Sequence, residues 1–509
     1  MVEIKDVSFS YFGGKEDLGL QSVNLTIRDG ETVLLCGKSG CGKTTLTRLV
    51  NGLIPHYYDG TLKGNVIVEG KSVPDTELYD IAQMVGSVFQ NPRSQFFNVD
   101  TTSELAFGCE NLGMPENEVR ERIRRTVNAL SLEHLLDRSI FELSGGEKQK
   151  IACGSVSALE PKIIVLDEPT SNLDFDGIRE LRGIIRRLKA AGKTILIAEH
   201  RLHFLKGIAD RVVFMEDGKI REEYSGREFF SKEAAFYEDR GLRIPSIRQL
   251  PYREKQQAAE DEPLRLKNFC FGYPGKKQIL HIPECEIPKG IVAVIGHNGA
   301  GKTTFAKSVC GLLKRDKGEL FCQGRRLNAR KRLSACCMVM QDTNHQLFTE
   351  SVIDEVLLSM KKENREKAEK ILDSLDLLSL KDEHPMSLSG GQKQRVAVAA
   401  ALGSDRRILV FDEPTSGLDL THMRETAGKI LELGENGAVV LVVTHAPEFI
   451  SCCCTHVLHM EQGRIVENYP LDREGQERMA AFFEGTGGKW EHADTAYEKR
   501  NGGQCPAGL

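Results

Sequence analysis

Two short runs of glycine, lysine and threonine have the residue types and spacing that bind phosphate groups. They are Gly37-Lys38-Ser39-Gly40-Cys41-Gly42-Lys43-Thr44 and Gly296-His297-Asn298-Gly299-Ala300-Gly301-Lys302-Thr303, each between an apolar, strand-like stretch and a helix-like one. Glycines let successive backbone amides turn toward a phosphate, and the positive end of the following helix favours an anion. In such a P-loop the lysine reaches the β- and γ-phosphates, and the threonine hydroxyl holds Mg²⁺.

Two pairs of adjacent carboxylates follow apolar runs farther along the chain. Asp167 and Glu168 follow the run 163–166, and Asp412 and Glu413 follow the run 408–411. Such runs predict buried parallel strands, and ligands bind beyond the carboxyl ends of those strands. Because neighbouring side chains of a strand alternate, one carboxylate can join the outer shell of Mg²⁺ while the next polarises a water toward the γ-phosphate.

A serine and two glycines open a predicted helix at two further places. The stretches are Ser144-Gly145-Gly146, within 143–149, and Ser389-Gly390-Gly391, within 388–394. Each helix N-terminus is a second candidate anion site beside the P-loop of its own copy. One nucleotide has one γ-phosphate, so the second site in each copy requires another reason.

With these motifs, the chain resembles the ATP-binding cassette (ABC) ATPases over nearly its whole length. In that family, the signature serine of one cassette closes over the nucleotide held by the other, and two cassettes sandwich two ATP molecules head to tail. The resemblance implies an enzyme that hydrolyses ATP to ADP and phosphate, with Mg²⁺ as cofactor. It also implies an α/β fold of two tandem P-loop NTPase domains, each with a RecA-like mixed sheet, an antiparallel β subdomain and a helical signature subdomain.

The resemblance assigns residues to two composite ATP sites, which pair each P-loop with the signature serine of the other copy. The implied catalytic residues are Glu168, His200, Glu413 and His445, and the implied Mg²⁺ ligands are Thr44, Gln90, Asp167, Thr303, Gln341 and Asp412. The implied ATP-binding residues are Tyr11, Gly37, Lys38, Ser39, Gly40, Cys41, Gly42, Lys43, Thr44, Thr45, Gln90, Ser144, Gly145, Gly146, Tyr273, Gly296, His297, Asn298, Gly299, Ala300, Gly301, Lys302, Thr303, Thr304, Gln341, Ser389, Gly390 and Gly391. Asp174 and Asp419 match the loop that crosses the interface between the two cassettes in that family.

Some of these assignments have plainer alternatives. Tyr11 and Tyr273 match the family's adenine-stacking aromatic, but either could be an ordinary strand aromatic. Each histidine taken alone could be a core residue. Asn172 stands where the second copy has a glycine, and Glu147 stands where it has a glutamine. Neither departure removes a ligand, so both sites are expected to hydrolyse ATP.

A repeat organises the elements that must position these residues. Lys43 and Lys302 lie 259 positions apart, and Gln90 and Gln341 lie 251 apart. The offset settles at 245 for the pairs Ser144 and Ser389, Asp167 and Asp412, and His200 and His445. An offset that falls and then stays constant indicates one duplicated unit with loop deletions early in the second copy. We expect ABC domains at 1–230 and 263–484, a linker at 231–262 and a disordered tail at 485–509.

Composition excludes several classes of protein. The net charge of -5 gives no basic face for nucleic acid, and no run of eighteen apolar residues occurs in the sequence. The 14 cysteines lack metal-site spacing and are expected to be reduced thiols. The chain is therefore expected to be cytoplasmic, and any membrane role would come through a partner.

Phenylalanines beside Gln90 and Gln341 bear on the kind of ABC protein. Gln95, Phe97 and Glu104 match Gln346, Phe348 and Glu355 at the 251 offset. Such phenylalanines suggest a groove for a partner's helix, with packing inside the cassette as the alternative. The stretch resembles the ATPases of energy-coupling factor (ECF) importers for vitamins and transition-metal ions, in which two cassettes grip a transmembrane T component and a membrane S component binds the substrate. That resemblance implies an energy-coupling subunit peripheral to the cytoplasmic face of the membrane, with no nucleic-acid partner.

Two alternatives stay open. Tandem ATPases of sugar or nucleoside importers have this size, although they usually carry an impaired second P-loop. Soluble tandem ATPases that act on ribosomes or DNA are expected to carry a long helical or basic insertion between the cassettes, or zinc cysteines. The acidic balance, short linker and cysteine spacing of this sequence disfavour them.

Overall fold

The computed structural model of the chain describes residues 1–12, 19–171, 173–251, 262–272, 278–314, 317–415, 417–435 and 437–485. Each half of the chain contains a four-stranded antiparallel sheet and a six-stranded mixed sheet. Helices surround the mixed sheet, which is the α/β architecture expected from the sequence. The predictions for Asn172, Tyr273 and the tail from 486 onward lie outside the described residues.

The described residues of the first half form ten strands and eight α-helices. The strands are β1 (Val2–Tyr11), β2 (Gly19–Ile27), β3 (Thr32–Cys36), β4 (Gly60–Val68), β5 (Lys71–Ser72), β6 (Val85–Val88), β7 (Ile163–Asp167), β8 (Thr194–Ala198), β9 (Arg211–Glu216) and β10 (Lys219–Ser225). The helices are α1 (Lys43–Val50), α2 (Leu53–His56), α3 (Leu78–Met84), α4 (Thr101–Asn111), α5 (Glu116–Leu130), α6 (Gly145–Ala158), α7 (Phe175–Ala190) and α8 (Gly226–Phe229). The sheet orders are β2-β1-β4-β5 and β10-β9-β3-β8-β7-β6.

One further helix, α9 (Ala234–Asp239), lies between the halves, and the second half repeats the pattern of the first. Its strands are β11 (Leu264–Gly272), β12 (Gln278–Ile287), β13 (Gly290–Ile295), β14 (Lys317–Cys322), β15 (Arg325–Leu327), β16 (Cys336–Val339), β17 (Ile408–Asp412), β18 (Val439–Val443), β19 (His456–Glu461) and β20 (Arg464–Pro470). Its helices are α10 (Lys302–Val309), α11 (Ala329–Ala335), α12 (Val352–Ser359), α13 (Arg365–Asp373), α14 (Gly390–Gly403), α15 (Leu420–Glu435), α16 (Pro447–Cys453) and α17 (Arg473–Glu484). The sheet orders are β12-β11-β14-β15 and β16-β17-β18-β13-β19-β20.

The mixed sheets bring the sequence motifs to one edge. In the first half β3 pairs in parallel with β8 and β9, and β7 pairs in parallel with β6 and β8. All five residues of β3 and of β8 are buried, as the continuous apolar runs predict for strands covered on both faces. Parallel strands end on the same side, so the segments that follow β3, β6, β7 and β8 meet there.

The segment 231–251, expected to be part of a linker, packs between the two halves. Tyr237, Leu242, Ile244 and Ile247 are buried in an apolar cluster that contains residues of both halves. Arg243, which is 4% exposed, donates from Nη2 to the carbonyl of Leu418 at 2.6 Å. Residues 252–261 lie outside the described part, so the domain boundaries stay predictions, but 231–251 joins the halves as packed structure.

No helix in the described ranges is long and apolar enough to cross a membrane. The thirteen cysteines in those ranges are free thiols, and no group of three metal-binding side chains is found there.

Candidate functional site

The two P-loops have the same internal geometry. Gly42 and Gly301, at the N-termini of α1 and α10, have φ angles of 101° and 95°, which favour glycine. Lys43 Nζ donates to the carbonyls of Gly37 at 3.0 Å and Lys38 at 2.9 Å. Lys302 Nζ makes the equivalent bonds, to Gly296 at 2.8 Å and His297 at 2.9 Å. Each lysine is thus held inside its loop, as the motif predicts.

The first glycine of each loop is required by a close approach of backbone. A Cβ on Gly37 would lie 2.2 Å from the carbonyl oxygen of Met215 in β9, and one on Gly296 would lie 2.1 Å from that of Met460 in β19. No side chain fits at either distance. The loops therefore wrap tightly over the ends of their sheets, with their amides available to an anion.

Threonine and aspartate meet beside each loop. Thr44 Oγ1 lies 3.2 Å from Asp167 Oδ1, and Thr303 hydrogen-bonds Asp412 in the same way. Burial, and then the charge of Glu168, raise the pKa of Asp167 to about 6. A hydroxyl and a carboxylate form the oxygen-only donor set that Mg²⁺ prefers, and a cation there would offset the cost of burying the carboxylate. The predicted residues fit Mg²⁺.

The second carboxylate of each pair sits at a strained backbone position. Glu168 and Glu413 have φ angles of 45° and 54° directly after β7 and β17. Their amides donate to the carbonyls of Ala198 at 2.8 Å and Val443 at 2.9 Å, which fixes both glutamates at the sheet edge. Such strain in non-glycine residues concentrates at functional sites.

In the first half, the glutamate is bonded to two predicted site residues. Gln90 Nε2 donates to Glu168 Oε2 at 2.9 Å, and His200 Nε2 lies 3.2 Å from Glu168 Oε1. Burial would raise the pKa of Glu168, but the hydrogen bond and charge of His200 and the charge of Lys43 outweigh it and lower that pKa. Glu168 is therefore ionised.

The second half differs in its electrostatics. His445 Nε2 lies 3.6 Å from Glu413 Oε1, farther than the equivalent pair in the first half. Burial and the charge of Asp412 raise the pKa of Glu413 to about 7. Burial and the charges of Lys302 and Arg201 hold the pKa of His445 well below its usual value, so this imidazole is neutral. Its buried Nδ1 lacks a hydrogen-bond partner within the described residues. The two sites are not electrostatic copies of each other.

Two aspartates join the halves reciprocally. The amide of Ser39 donates to Asp419 Oδ2 at 2.8 Å, and the amide of Asn298 donates to Asp174 Oδ2 at 3.0 Å. Each aspartate thus crosses to the P-loop of the other half. The two halves of one chain therefore pair head to tail with each other. The sequence alone did not decide between this pairing and a pairing with the halves of a second molecule.

A cavity of about 330 Å³ surrounds the second P-loop and receives residues from both halves. Its lining includes the predicted residues Asn298, Gly299, Gly301, Lys302, Thr303, Thr304, Gln341, Asp412, Glu413 and His445. From the first half come Ser171, Leu173, Asp174 and Arg201. The site is composite, as head-to-tail pairing requires.

The signature serines cap the helices that they begin. Ser144 and Ser389 are exposed and cap their own helices, α6 and α14. Residues 144–146 do not line the cavity at the second P-loop. The aspartate loops reach across the interface in this structure, and the signature residues stay at the N-termini of their own helices. Their contact with nucleotide stays a prediction.

The difference between Glu147 and Gln392 has a structural explanation. Both residues accept a hydrogen bond from the backbone amide of the capping serine, Glu147 at 2.8 Å and Gln392 at 2.9 Å. Each serine hydroxyl accepts in return from the amide three residues later. A carboxylate and an amide oxygen serve equally in this capping box.

Tyr11 is half-buried in an aromatic group beside α1. Its hydroxyl lies 3.2 Å from Thr45 Oγ1 and accepts from Arg48 Nη1 at 3.0 Å. Its ring meets those of Phe9 and Tyr58 edge to face. The strand-aromatic alternative thus describes its packing here, and an adenine contact stays a prediction.

Arg201 is a lining residue to which the sequence analysis gave no role. It follows His200, and the equivalent residue of the second copy is Ala446. A comparison of the two copies at this position would have marked it, but its location in the other half's site depends on the interface.

The phenylalanines at the proposed partner groove are turned outward. The exposed fractions of Phe97 and Phe348 are 74% and 76%, and the exposed Phe97 ring stacks on that of Phe107 in α4 with the centroids 4.9 Å apart. The buried Glu104 accepts from the amides of Phe97 and Asn98 at 3.0 and 2.9 Å.

Glu355 plays the same part in the second half, where it accepts from the amides of Phe348 and Thr349. Gln95 and Gln346 accept from the amides of Phe89 at 3.2 Å and Met340 at 3.0 Å. The polar residues of this repeated motif are a scaffold that presents an aromatic ring.

Comparison with known proteins agrees with this geometry. The family model described as ABC transporter matches residues 20–171 and 284–416. A protein of Treponema denticola, named "Putative ABC transporter ATP-binding protein", is 43% identical over 486 residues, which cover 94% of this chain and 99% of that protein. A protein of the same name from Methanosarcina mazei is 34% identical over 526 residues, covering 92% and 89%.

A solved structure shares the two-domain fold. It is a chain in the crystal structure of the complex of archaeal ribosomal stalk protein aP1 and archaeal ribosome recycling factor aABCE1. The match has a TM-score of 0.63 at 24% identity and covers 94% of this chain and 92% of that one. At this identity the likeness concerns the fold.

Proposed function

Because the chain belongs to the ABC transporter family, whose ATPase domains bind ATP with Mg²⁺, we propose that it is the ATP-hydrolysing, energy-coupling subunit of a membrane importer. The importer is of the ECF type and takes up a vitamin or a transition-metal ion. The observation that carries this proposal is the pair of outward-facing rings, Phe97 and Phe348, each fixed by a buried glutamate. The chain sits at the cytoplasmic face of the membrane, bound to a T component that is joined in turn by an S component.

The chemistry proposed at each site follows from the positions of its side chains. Lys43 and Lys302 bind the β- and γ-phosphates from inside their loops. Thr44 with Asp167, and Thr303 with Asp412, hold Mg²⁺, which supplies charge neutralisation on the phosphates. Glu168 and Glu413 accept a proton from the attacking water, and the adjacent histidines orient them.

One segment in each half connects the ATP site to the membrane partner. It follows β6 in the first half and β16 in the second. Gln90 is bonded to Glu168, and five residues later, at Gln95, the scaffold that presents Phe97 begins. Movement of the glutamine on ATP binding would therefore be passed to the ring. ATP shifts the two halves toward the closed sandwich because it binds the closed state more tightly than the open state.

Apolar neighbours complete the docking surface around each ring. Val99 and Phe141, exposed by 64% and 76%, lie in the same helical subdomain as Phe97. Leu358 and Met386, exposed by 59% and 50%, lie in that of Phe348. Of these four residues, Phe141 and Met386 occupy equivalent positions at the 245 offset. Exposed apolar side chains of this kind indicate a partner surface, and two such surfaces suit two helices of one T component.

The experiment compares the purified complexes of wild type and a Phe97→Asp, Phe348→Asp double variant after extraction from membranes with mild detergent. Wild type is expected to bring down integral membrane subunits, identified by mass spectrometry, and the variant to lose them while still binding ATP. Tyr79→Asp is the matched control, since Tyr79 is an exposed aromatic, by 56%, in α3. Retention of the membrane subunits by the double variant, or sedimentation of wild type with ribosomes instead of membranes, would contradict the proposal.

A further inference from the structure

An arginine of the first half lies in the nucleotide site of the second. Arg201 lines the cavity that contains Lys302, Thr303 and Glu413. Its Nη1 donates to the carbonyl of Leu173 at 2.9 Å, which ties its guanidinium to the loop that carries Asp174 across the interface.

The backbone at Arg201 is also fixed. Glu199, 2% exposed, accepts through Oε1 from the amides of His200 at 2.7 Å and Arg201 at 3.0 Å. Through Oε2 it accepts from the hydroxyl of Thr170 at 2.7 Å. This buried carboxylate therefore joins the segment after β8 to the segment after β7 and holds Arg201 at the sheet edge.

The second copy lacks both parts of this arrangement. Thr444 stands in place of Glu199, and Ala446 stands in place of Arg201, at the constant offset of 245. Ala446 is buried and carries only a methyl group. The residue equivalent to Arg201 in the second copy therefore has no charge. A cation beside the first site comes instead from Arg243, which donates to the carbonyl of Leu418, the counterpart of Leu173, and acts electrostatically on Glu168.

The guanidinium has donors to spare. It carries five N–H groups, and among the described residues its side chain donates to the carbonyl of Leu173. Burial lowers the pKa of Arg201, and the charge of Arg243 acts in the same direction, but an arginine stays protonated in a protein. A half-buried cation with unused donors is stabilised by an anion placed within its reach.

We propose that Arg201 is supplied in trans to the second site, where its guanidinium contacts the γ-phosphate of ATP held by Lys302. In the reaction, the water oxygen forms a bond to the γ-phosphorus, the bond from that phosphorus to the bridging oxygen breaks, and ADP leaves with the electron pair. The proton of the water goes to Glu413. Arg201 stabilises the negative charge that spreads over the γ-phosphoryl oxygens in this transfer.

This inference rests on the proposed ATP hydrolysis at the second site and is independent of the importer role. It makes the second site depend on a residue of the segment after β8, whereas the second copy has alanine at the equivalent position. Turnover at the first site should not depend on Arg201.

The test uses the full chain and reports each site separately. Vanadate trapping with 8-azido-ATP, followed by mass spectrometry of the labelled peptides, shows which P-loop has retained nucleotide. Arg201→Met is expected to lower nucleotide trapping at the second site by at least about tenfold, because one hydrogen-bond donor to the transition-state charge is lost. Trapping at the first site should stay within about twofold of wild type. Steady-state kcat should fall more than KM rises.

Arg182→Met is the matched control for a structural role. Arg182 is a partly buried arginine of α7 whose guanidinium also bonds backbone carbonyls, those of Phe204 and Lys206, outside the cavity. It should leave trapping at both sites unchanged. Equal loss at both sites in Arg201→Met, unchanged trapping at the second site, or the same loss in Arg182→Met would overturn the inference.

A rescue experiment keeps the inference testable if Arg201→Met is unstable. Guanidinium ion at millimolar concentration should restore part of the second-site trapping of Arg201→Ala, because it can occupy the vacated space, whereas an arginine needed only for the loop at Leu173 would not be replaced in this way. Absence of rescue in a folded Arg201→Ala would count against the phosphate contact. If wild type traps nucleotide at neither site, the proposed ATPase fails; if it traps at both and the Arg201 variants do too, only this inference fails.

Discussion

The carboxylate of Asp419 accepts a hydrogen bond from the amide of Ser39 at 2.8 Å, although the two residues are 380 positions apart. Asp419 is 1% exposed and also accepts from the amide and the imidazole of His422. Since Ser39 lies inside the first P-loop, a residue of the second half fixes the conformation of a loop that must bind phosphate. The bond from Asn298 to Asp174 does the same in the other direction. Pairing of the halves and the shape of each P-loop are therefore linked.

Asp419→Ala should loosen the first P-loop and weaken the contact between halves. The substitution leaves the Ser39 amide without its charged acceptor, which costs roughly 1.5 to 3 kcal/mol. Hydrogen exchange of residues 37–44 should become faster than in wild type, while residues 296–303 keep their protection. Asp405→Ala, at an exposed aspartate that pairs with Lys367, is the control. Equal protection of residues 37–44 in both variants would show that Asp419 does not hold that loop.

Glu168→Gln and Glu413→Gln together should abolish most ATP turnover and keep ATP binding. Both glutamates stand at the ends of their strands beside the threonine and aspartate of the metal site. Removal of the proton acceptor lowers kcat by at least ~10², the usual lower range for general acid–base help. Steady-state phosphate release and a fluorescent nucleotide titration measure the two properties. Wild-type turnover in the double variant would exclude these residues from the chemistry.

The sequence predicts the local parts of each site because they depend on nearby residues. An apolar run followed by a glycine loop specifies β3 and α1, and the same pattern specifies β13 and α10. The second carboxylate pair could be found from the first because the two copies share a constant offset. These features need no knowledge of how the halves face each other.

The relative placement of the halves could not be read from the sequence in the same way. Arg201 belongs to the second site only because the halves pair across an interface, which no local pattern specifies. The buried residues Ile244 and Leu250 lie in a charged stretch poor in apolar periodicity, so their packing beside Leu420 of the other half has no local signal.

Ser144→Ala and Glu147→Gln should separate capping from charge at the N-terminus of α6. Loss of the serine hydroxyl removes one cap bond and should lower the free energy of unfolding by about 0.5 to 2 kcal/mol. Glu147→Gln keeps an oxygen acceptor for the Ser144 amide, as Gln392 does in the second half, and loses only the pair with Arg138 at 2.9 Å. Chemical denaturation should therefore show the smaller effect for Glu147→Gln. The reverse order would mean that the charge, not the capping box, stabilises this end of the helix.

His422 should make the stability of the interface depend on pH. Its hydrogen bond to Asp419 raises the pKa of His422 despite burial, and the neighbouring charges are Arg395, which lowers that pKa, and Glu425, which raises it. A raised pKa in the folded state means that the stabilisation is fully present below the unfolded pKa near 6.5 and is lost as the pH rises through the folded value. The stabilising pair of Asp419 and protonated His422 should thus weaken in mildly alkaline solution.

The measurement for His422 is the melting temperature of wild type and His422→Gln between about pH 5.5 and pH 9, a range that spans the usual histidine pKa. Glutamine keeps a hydrogen-bond donor and cannot gain a charge, so the difference between the two proteins should be largest at the acidic end and shrink as the pH rises. His345→Gln is the control, because His345 is 80% exposed and does not touch the interface aspartate. A difference that is constant across the range would show that His422 contributes through packing alone, since only its proton uptake can make the effect follow pH.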